Sequence, residues 1–77
     1  MSRLPALTAA RVEKVLLALG FAAVRQRGSH VFYRHPDGRT TTLPHHAGRD
    51  IARPLLREVL REIERTPAEF LQVLARV

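Results

Sequence analysis

Apolar positions recur along this 77-residue chain at two different periods, and the change of period divides it into elements. Val12, Val15, Leu16 and Leu19 repeat at helical spacing, and Thr8 stands where a helix N-cap belongs, which predicts a helix from Thr8 to about Leu19. Arg11, Lys14 and Ala18 fall off that stripe and give the helix a polar, basic outer face. Gly20 follows at the position of a left-handed C-cap. Phe21 to Gln26 then predicts a short strand, with Arg27-Gly28-Ser29 as its turn.

His30 to His35 is a second strand rich in β-formers. Pro36-Asp37-Gly38-Arg39 predicts a hairpin turn, because proline presets one backbone angle and glycine permits the next. Thr40 to Leu43 returns as a third strand, ended by Pro44, so the three strands form an antiparallel meander. Strict alternation along the second strand places His30 with Phe32 and Arg34, opposite Val31 and Tyr33. Which of the two faces is buried is left open by the pattern.

His45 to Asp50 is expected to be a polar connection containing Gly48. A second helix should start near Arg53-Pro54 and run to about Glu64, with Leu56, Val59, Leu60 and Ile63 as its apolar stripe. Thr66-Pro67-Ala68-Glu69 reads as a capping box that opens a last helix through Phe70, Leu71 and Leu74. The predicted order is α-β-β-β-α-α, an α+β fold with its helices on one face of the sheet and a single domain over residues 1–77. No repeat, linker or low-complexity segment interrupts it.

A chain of this length buries only about 60% of its unfolded surface, and 45% hydrophobic content is enough for one core. The chain has no cysteine, which removes disulfides and thiolate metal sites and fits a reducing cytoplasm. No apolar run approaches the roughly 20 residues of a membrane span. The opening Met1-Ser2-Arg3-Leu4-Pro5 lacks the apolar segment of a secretory signal.

The formal net charge is +6, and it is unevenly placed. Between Phe21 and Arg53 six arginines stand against two aspartates, whereas the C-terminal helical part mixes arginine and glutamate evenly. A localised basic patch suits nucleic acid, and arginine adds bidentate phosphate contacts and stacking on bases. The same composition also describes an arginine-rich solvated surface.

The stretch from Arg25 to His35 concentrates the candidate chemistry. Gly28-Ser29-His30 is a tight turn that delivers an imidazole among arginines, and histidine exchanges protons near neutrality. On residues alone, His30 is read equally well as a strand-start histidine that hydrogen-bonds the turn. The other histidines, His35, His45 and His46, match no metal spacing, and adjacent His45 and His46 point apart on an extended chain. Ser29 has no triad context, and no phosphate-binding glycine loop is present. The carboxylates Glu58 and Glu62 sit beside Arg57 and Arg61 at helical spacing, as expected of solvated surface pairs.

The segments Gly20-Phe21, Arg25 to His30, Tyr33 to Gly38, Leu43-Pro44-His45-His46, Asp50-Ile51, Leu56 and Val59-Leu60 together resemble the HicA family of toxin–antitoxin toxins. The resemblance runs from the first helix to Phe70-Leu71 and rests on two joint motifs, Gly-Ser-His followed by an aromatic and the later Pro-x-His. One departure is Arg53-Pro54-Leu55 at the start of the second helix, where relatives often have a Pro-Gly-Thr-like sequence.

The resemblance implies a double-stranded-RNA-binding-domain-like fold, ribonuclease activity on mRNA without a cofactor or metal, and neutralisation by a HicB-type antitoxin that covers the basic face. It carries His30 over as the motif histidine and His46 as the Pro-x-His histidine. On that reading RNA is held by Arg25, Arg27, Arg34 and Arg49 through its phosphates, beside the Gly28-Ser29 turn and His46, while His30 acts as general base. Two other outcomes stay open: a non-catalytic RNA-binding module of the same fold, and a degenerate toxin that serves only protein interaction.

Overall fold

The computed structural model describes residues 4–77, so the first three residues of the opening segment read above lie outside it. The elements run β1 (Leu7–Thr8), α1 (Ala9–Ala18), β2 (Ala22–Arg27), β3 (His30–Arg34), β4 (Thr40–Pro44), β5 (Asp50–Ile51), α2 (Arg53–Glu62) and α3 (Pro67–Leu74). Strands β2, β3 and β4 form an antiparallel meander in that order. The architecture is α+β with three helices and this three-stranded sheet, as expected of a double-stranded-RNA-binding-domain-like fold.

The caps explain where the helices stop. Thr8 accepts the backbone N–H of Arg11, and Val12, Val15 and Leu16 of α1 are fully buried. At its far end Gly20 takes φ +96°, which lets Phe21 N–H reach Leu16 O at 3.0 Å. A Cβ on Gly20 would come within 2.9 Å of the His35 ring nitrogen, so a larger residue would also have to push that ring aside. Helix α2 closes the same way, with Arg65 N–H on Leu60 O at 3.0 Å, but the left-handed position is Glu64, at φ +59°. That turn ends α2 at Glu62, two residues before the point the apolar stripe suggested. Thr66 and Glu69 form the reciprocal capping box of α3.

Two features depart from the pattern. Leu7 pairs with Ile51 and Thr8 with Asp50 in a second, two-stranded ladder, so the connection expected to stay irregular through Asp50 ends in a strand. Two residues carry no period to read, and the pair forms because Leu7 and Ile51 both enter the core. Glu62 is the second departure: it accepts a hydrogen bond from the Thr41 hydroxyl at 2.8 Å and ties α2 to β4, rather than pairing with a neighbouring arginine. Glu58 does pair with Arg61 as expected.

One core gathers Val12, Val15 and Leu16 of α1, Val31, Tyr33 and Leu43 of the sheet, Leu56, Leu60 and Ile63 of α2 with its cap, and Phe70 of α3. The helices cover one face of β3 and β4. All six residues of β2 remain exposed, so the edge strand overhangs the core.

Candidate functional site

Burial decides the question that alternation left open. Val31 and Tyr33 lie under the helices at 8% and 0% exposure, so His30, Phe32 and Arg34 occupy the uncovered face. Cross-strand partners share a face, which places Thr42 and Pro44 of β4 with Phe32 and His30.

The edge strand joins this face through a bulge. Ala23 pairs with Tyr33 and Arg25 with Phe32, which leaves Val24 as an extra residue, 59% exposed. The bulge reverses the alternation of everything after it. Without it, Arg25 and Arg27 would share the parity of Ala23 and of buried Phe21, pointing toward the helix side. With it, Arg25 stands opposite Phe32 and Arg27 opposite His30, both on the uncovered face. The sequence held the signal in that conflict: strict period two from a core phenylalanine requires two arginines to face inward.

The Gly28-Ser29 turn is fixed by three local causes. Gly28 has φ +59°, the left-handed region where glycine is unstrained. The Gln26 side-chain amide donates to Gly28 O at 3.1 Å. His45 N–H donates to Ser29 O at 2.7 Å and ties the turn to the end of β4. His30 itself is exposed. The two flanking strands bring Arg27 on one side and Pro44 on the other to its backbone.

Beneath the turn lies a polar cluster that the sequence reading missed. The buried Tyr33 hydroxyl donates to Glu13 Oε2 at 2.5 Å and meets His45 Nε2 at 2.8 Å, joining α1, β3 and the loop after β4. Burial, the hydrogen bond to Glu13 and the nearby carboxylate charge all hold the Tyr33 hydroxyl well above the usual tyrosine range. Glu13 is therefore not a freely solvated helix carboxylate. Its partners are 20 and 32 positions away in sequence, and no local pattern announces them.

Six arginines made the middle of the chain basic, and the structure sorts them. Arg39 binds Asp37 at 2.8 Å, donates to Ile63 O and lies over the Phe21 ring, while Arg53 donates to Leu4 O at 2.9 Å. Both brace the fold. Arg25, Arg27, Arg34 and Arg49 are exposed and have no ion-pair partner among the described residues. The first three share the uncovered sheet face, which carries no carboxylate. Arg49 sits elsewhere, in the loop before β5.

The histidines are dispersed. His35 packs edge-on against Phe21 and lies 3.0 Å from the Asp37 carboxylate. His45 is held by Tyr33, and exposed His46 lines a cleft of about 400 Å³ with Thr8, Ala9 and Ala10 at the start of α1. The structure therefore brings together Arg25, Arg27, Gly28, Ser29, His30 and Arg34, and leaves His46 and Arg49 on the adjoining loop. No cluster of three or more potential metal ligands forms among the described residues.

The molecule is thus a small α+β domain with an open, carboxylate-free basic sheet face. The family described as HicA toxin of bacterial toxin–antitoxin matches residues 9–64, from the first residue of α1 to the turn that closes α2. The chain belongs to this family and is a toxin of a toxin–antitoxin system, one whose members in general act as ribonucleases and imply a cognate antitoxin. The matched span stops short of Phe70-Leu71, so α3 lies outside it. No curated protein matches the sequence. Among the described residues, no helix is long and apolar enough to cross a membrane.

Proposed function

We propose that this toxin is an endoribonuclease acting on mRNA in the cytoplasm, with His30 as its catalytic group and a HicB-type antitoxin as its inhibitor. The observation that carries this reading is the shared face: an exposed imidazole on β3, flanked by Arg25, Arg27 and Arg34, with no carboxylate among them. A polyanion drawn to that face meets an exposed imidazole at the end of β3, beside the Gly28-Ser29 turn.

The chemistry uses the chain's own groups and needs no metal. His30 takes the proton of a ribose 2′-hydroxyl, whose oxygen then attacks the adjacent phosphorus. The bond from phosphorus to the 5′ oxygen breaks, a 2′,3′-cyclic phosphate forms, and the leaving oxygen takes a proton from solvent. Arg27, opposite His30 across the strands, meets the charge that develops on the phosphoryl oxygens, and Arg34 at the far end of β3 holds a phosphate further along the RNA. Gly28 and Ser29 let the backbone approach the strand closely, and His46 and Arg49 extend the cationic track onto the adjoining loop. An antitoxin that presents acidic groups to the same face excludes RNA by occupying it.

The test is cleavage of end-labelled RNA by the purified protein and by His30→Ala, with circular dichroism on both. His30 is exposed, so the variant should fold as the parent does. Cleavage should fall by about 10²- to 10⁴-fold, the typical worth of general base catalysis. Equal cleavage by a folded variant would overturn the assignment. Binding without cleavage by the parent would make the face a gripping surface instead.

A further inference from the structure

Phe32 is the one phenyl ring that β2, β3 and β4 present on the uncovered face, and the proposed chemistry does not use it. It stands at the middle of the central strand, between His30 and Arg34, opposite Arg25 on β2 and Thr42 on β4. Its side chain is half-buried, and the Arg25 guanidinium lies over the ring at 4.6 Å. Around the pair, Val24, Arg34, Thr40 and Thr42 help line a shallow cavity of about 480 Å³.

We propose that the Arg25–Phe32 pair is a stacking platform for one unpaired base of a single-stranded RNA, immediately beside His30. This rests on the function proposed above and names the substrate feature that the site reads. The occupant follows from chemistry on the face. Arg25, Arg27 and Arg34 have no ion-pair partner among the described residues, which selects a polyanion over an apolar peptide.

An aromatic ring and a guanidinium plane are both surfaces on which a base stacks, and every base offers a π-face. Bases inside a duplex already stack on one another, so the platform takes only an unpaired one. Residues two apart on a strand are separated by about 7 Å. A base held at Phe32 therefore leaves its neighbouring phosphodiester near His30 on one side and Arg34 on the other. Thr40 and Thr42, opposite Arg34 and Phe32 on β4, line the same cavity beside the ring. The Val24 bulge is what permits this, since it carries Arg25 to the side of Phe32.

The experiment measures binding of a fluorescein-labelled 2′-O-methyl oligoribonucleotide, which lacks the attacking hydroxyl, to the parent, Phe32→Ala, Phe32→Leu and Phe32→Tyr proteins. The same oligonucleotide with one abasic position is measured beside it, together with cleavage of unmodified RNA by the parent and melting curves of every variant. Phe32→Ala and Phe32→Leu should each weaken binding by about 5- to 150-fold, the range of one base–aromatic stack. Phe32→Tyr should stay near the parent. The abasic strand should bind the parent more weakly, and Phe32→Ala should then cost nothing further.

Parental affinity in folded Phe32→Ala or Phe32→Leu would overturn the platform, while parental cleavage of unmodified RNA would leave the nuclease reading standing. Phe32-dependent binding without cleavage would keep the platform and remove the nuclease. A parent that binds no RNA would remove both.

Discussion

The two faces of β3 are built from five consecutive residues and differ in burial and chemistry. On one side Val31 and Tyr33 are sealed beneath the helices, and the only polar group there, the Tyr33 hydroxyl, is bonded to Glu13 and His45. On the other side His30, Phe32 and Arg34 face solvent with cations for neighbours and no carboxylate among them. Since neighbours on a strand point in opposite directions, the proposed recognition face is separated from the core by one residue rather than by one domain. Substitutions at adjacent positions should therefore fail in different assays.

The sharpest contrast is between Tyr33 and Phe32. Tyr33→Ala empties a fully buried aromatic site and should cost about 3–5 kcal/mol in urea denaturation, as core aromatic truncations do. That is a large part of the roughly 5–15 kcal/mol that holds a domain together. Phe32→Ala should cost about 1 kcal/mol, near the centre of the distribution for ordinary substitutions. Equal losses at the two positions would mean that the uncovered face is part of the core, and the division of labour would collapse.

The next contrast isolates the hydroxyl. Tyr33→Phe keeps the ring and strands Glu13 and His45, which should cost about 1–3 kcal/mol, toward the lower end because both partners reach water. The sign with pH follows from the upward displacement of the Tyr33 hydroxyl. The unfolded tyrosine ionises near pH 10 while the folded one still holds its proton, so ionisation favours the unfolded chain. The stabilisation is intact below that range and lost as pH rises through it. Denaturation curves of the parent should weaken with alkalinity there, and those of Tyr33→Phe should weaken less. Parallel curves would show that the hydroxyl carries no such linkage.

Helix and hairpin elements were readable because caps and periods are local. Thr8, Gly20, the Pro36-to-Arg39 turn and the Thr66–Glu69 box each act within a few residues of themselves, and each stands where its residue type predicted. What escaped depends on partners far along the chain. The Leu7–Ile51 ladder spans 44 positions, and the Glu13–Tyr33–His45 cluster joins three elements whose registry no single segment specifies. The candidate site was legible as composition and motif, in that Arg25, Arg27, His30 and Arg34 were named together and share one sheet face. Its geometry was not, because the Val24 bulge alone decides which way two of those arginines face.

On the uncovered face the expected effects are smaller in stability and are read in binding. Arg27 pairs with His30 across the strands and touches no acid. Arg27→Ala should leave stability within about 0.5 kcal/mol, as surface changes away from such features do. It should also lower the slope of log affinity against log salt by about 0.7, the contribution of one phosphate contact to a single strand. An unchanged slope would remove Arg27 from the phosphate track.

The smallest expected effect tests the bulge itself. Deleting Val24 removes the one residue that lacks a cross-strand partner, so Ala23 stays opposite Tyr33 and Arg25 opposite Phe32 in an uninterrupted ladder. The parity of both arginines survives the deletion, and the lost side chain was already 59% exposed. If the bulge serves only to set which way the arginines face, RNA affinity should remain within about twofold and stability within about 0.5 kcal/mol of the parent. A folded deletion variant with much weaker binding would show instead that the local bend and added twist of the bulge position Arg25 over Phe32. The comparison of faces would then rest on the curvature of β2 as much as on alternation along β3, and the platform would depend on both strands together.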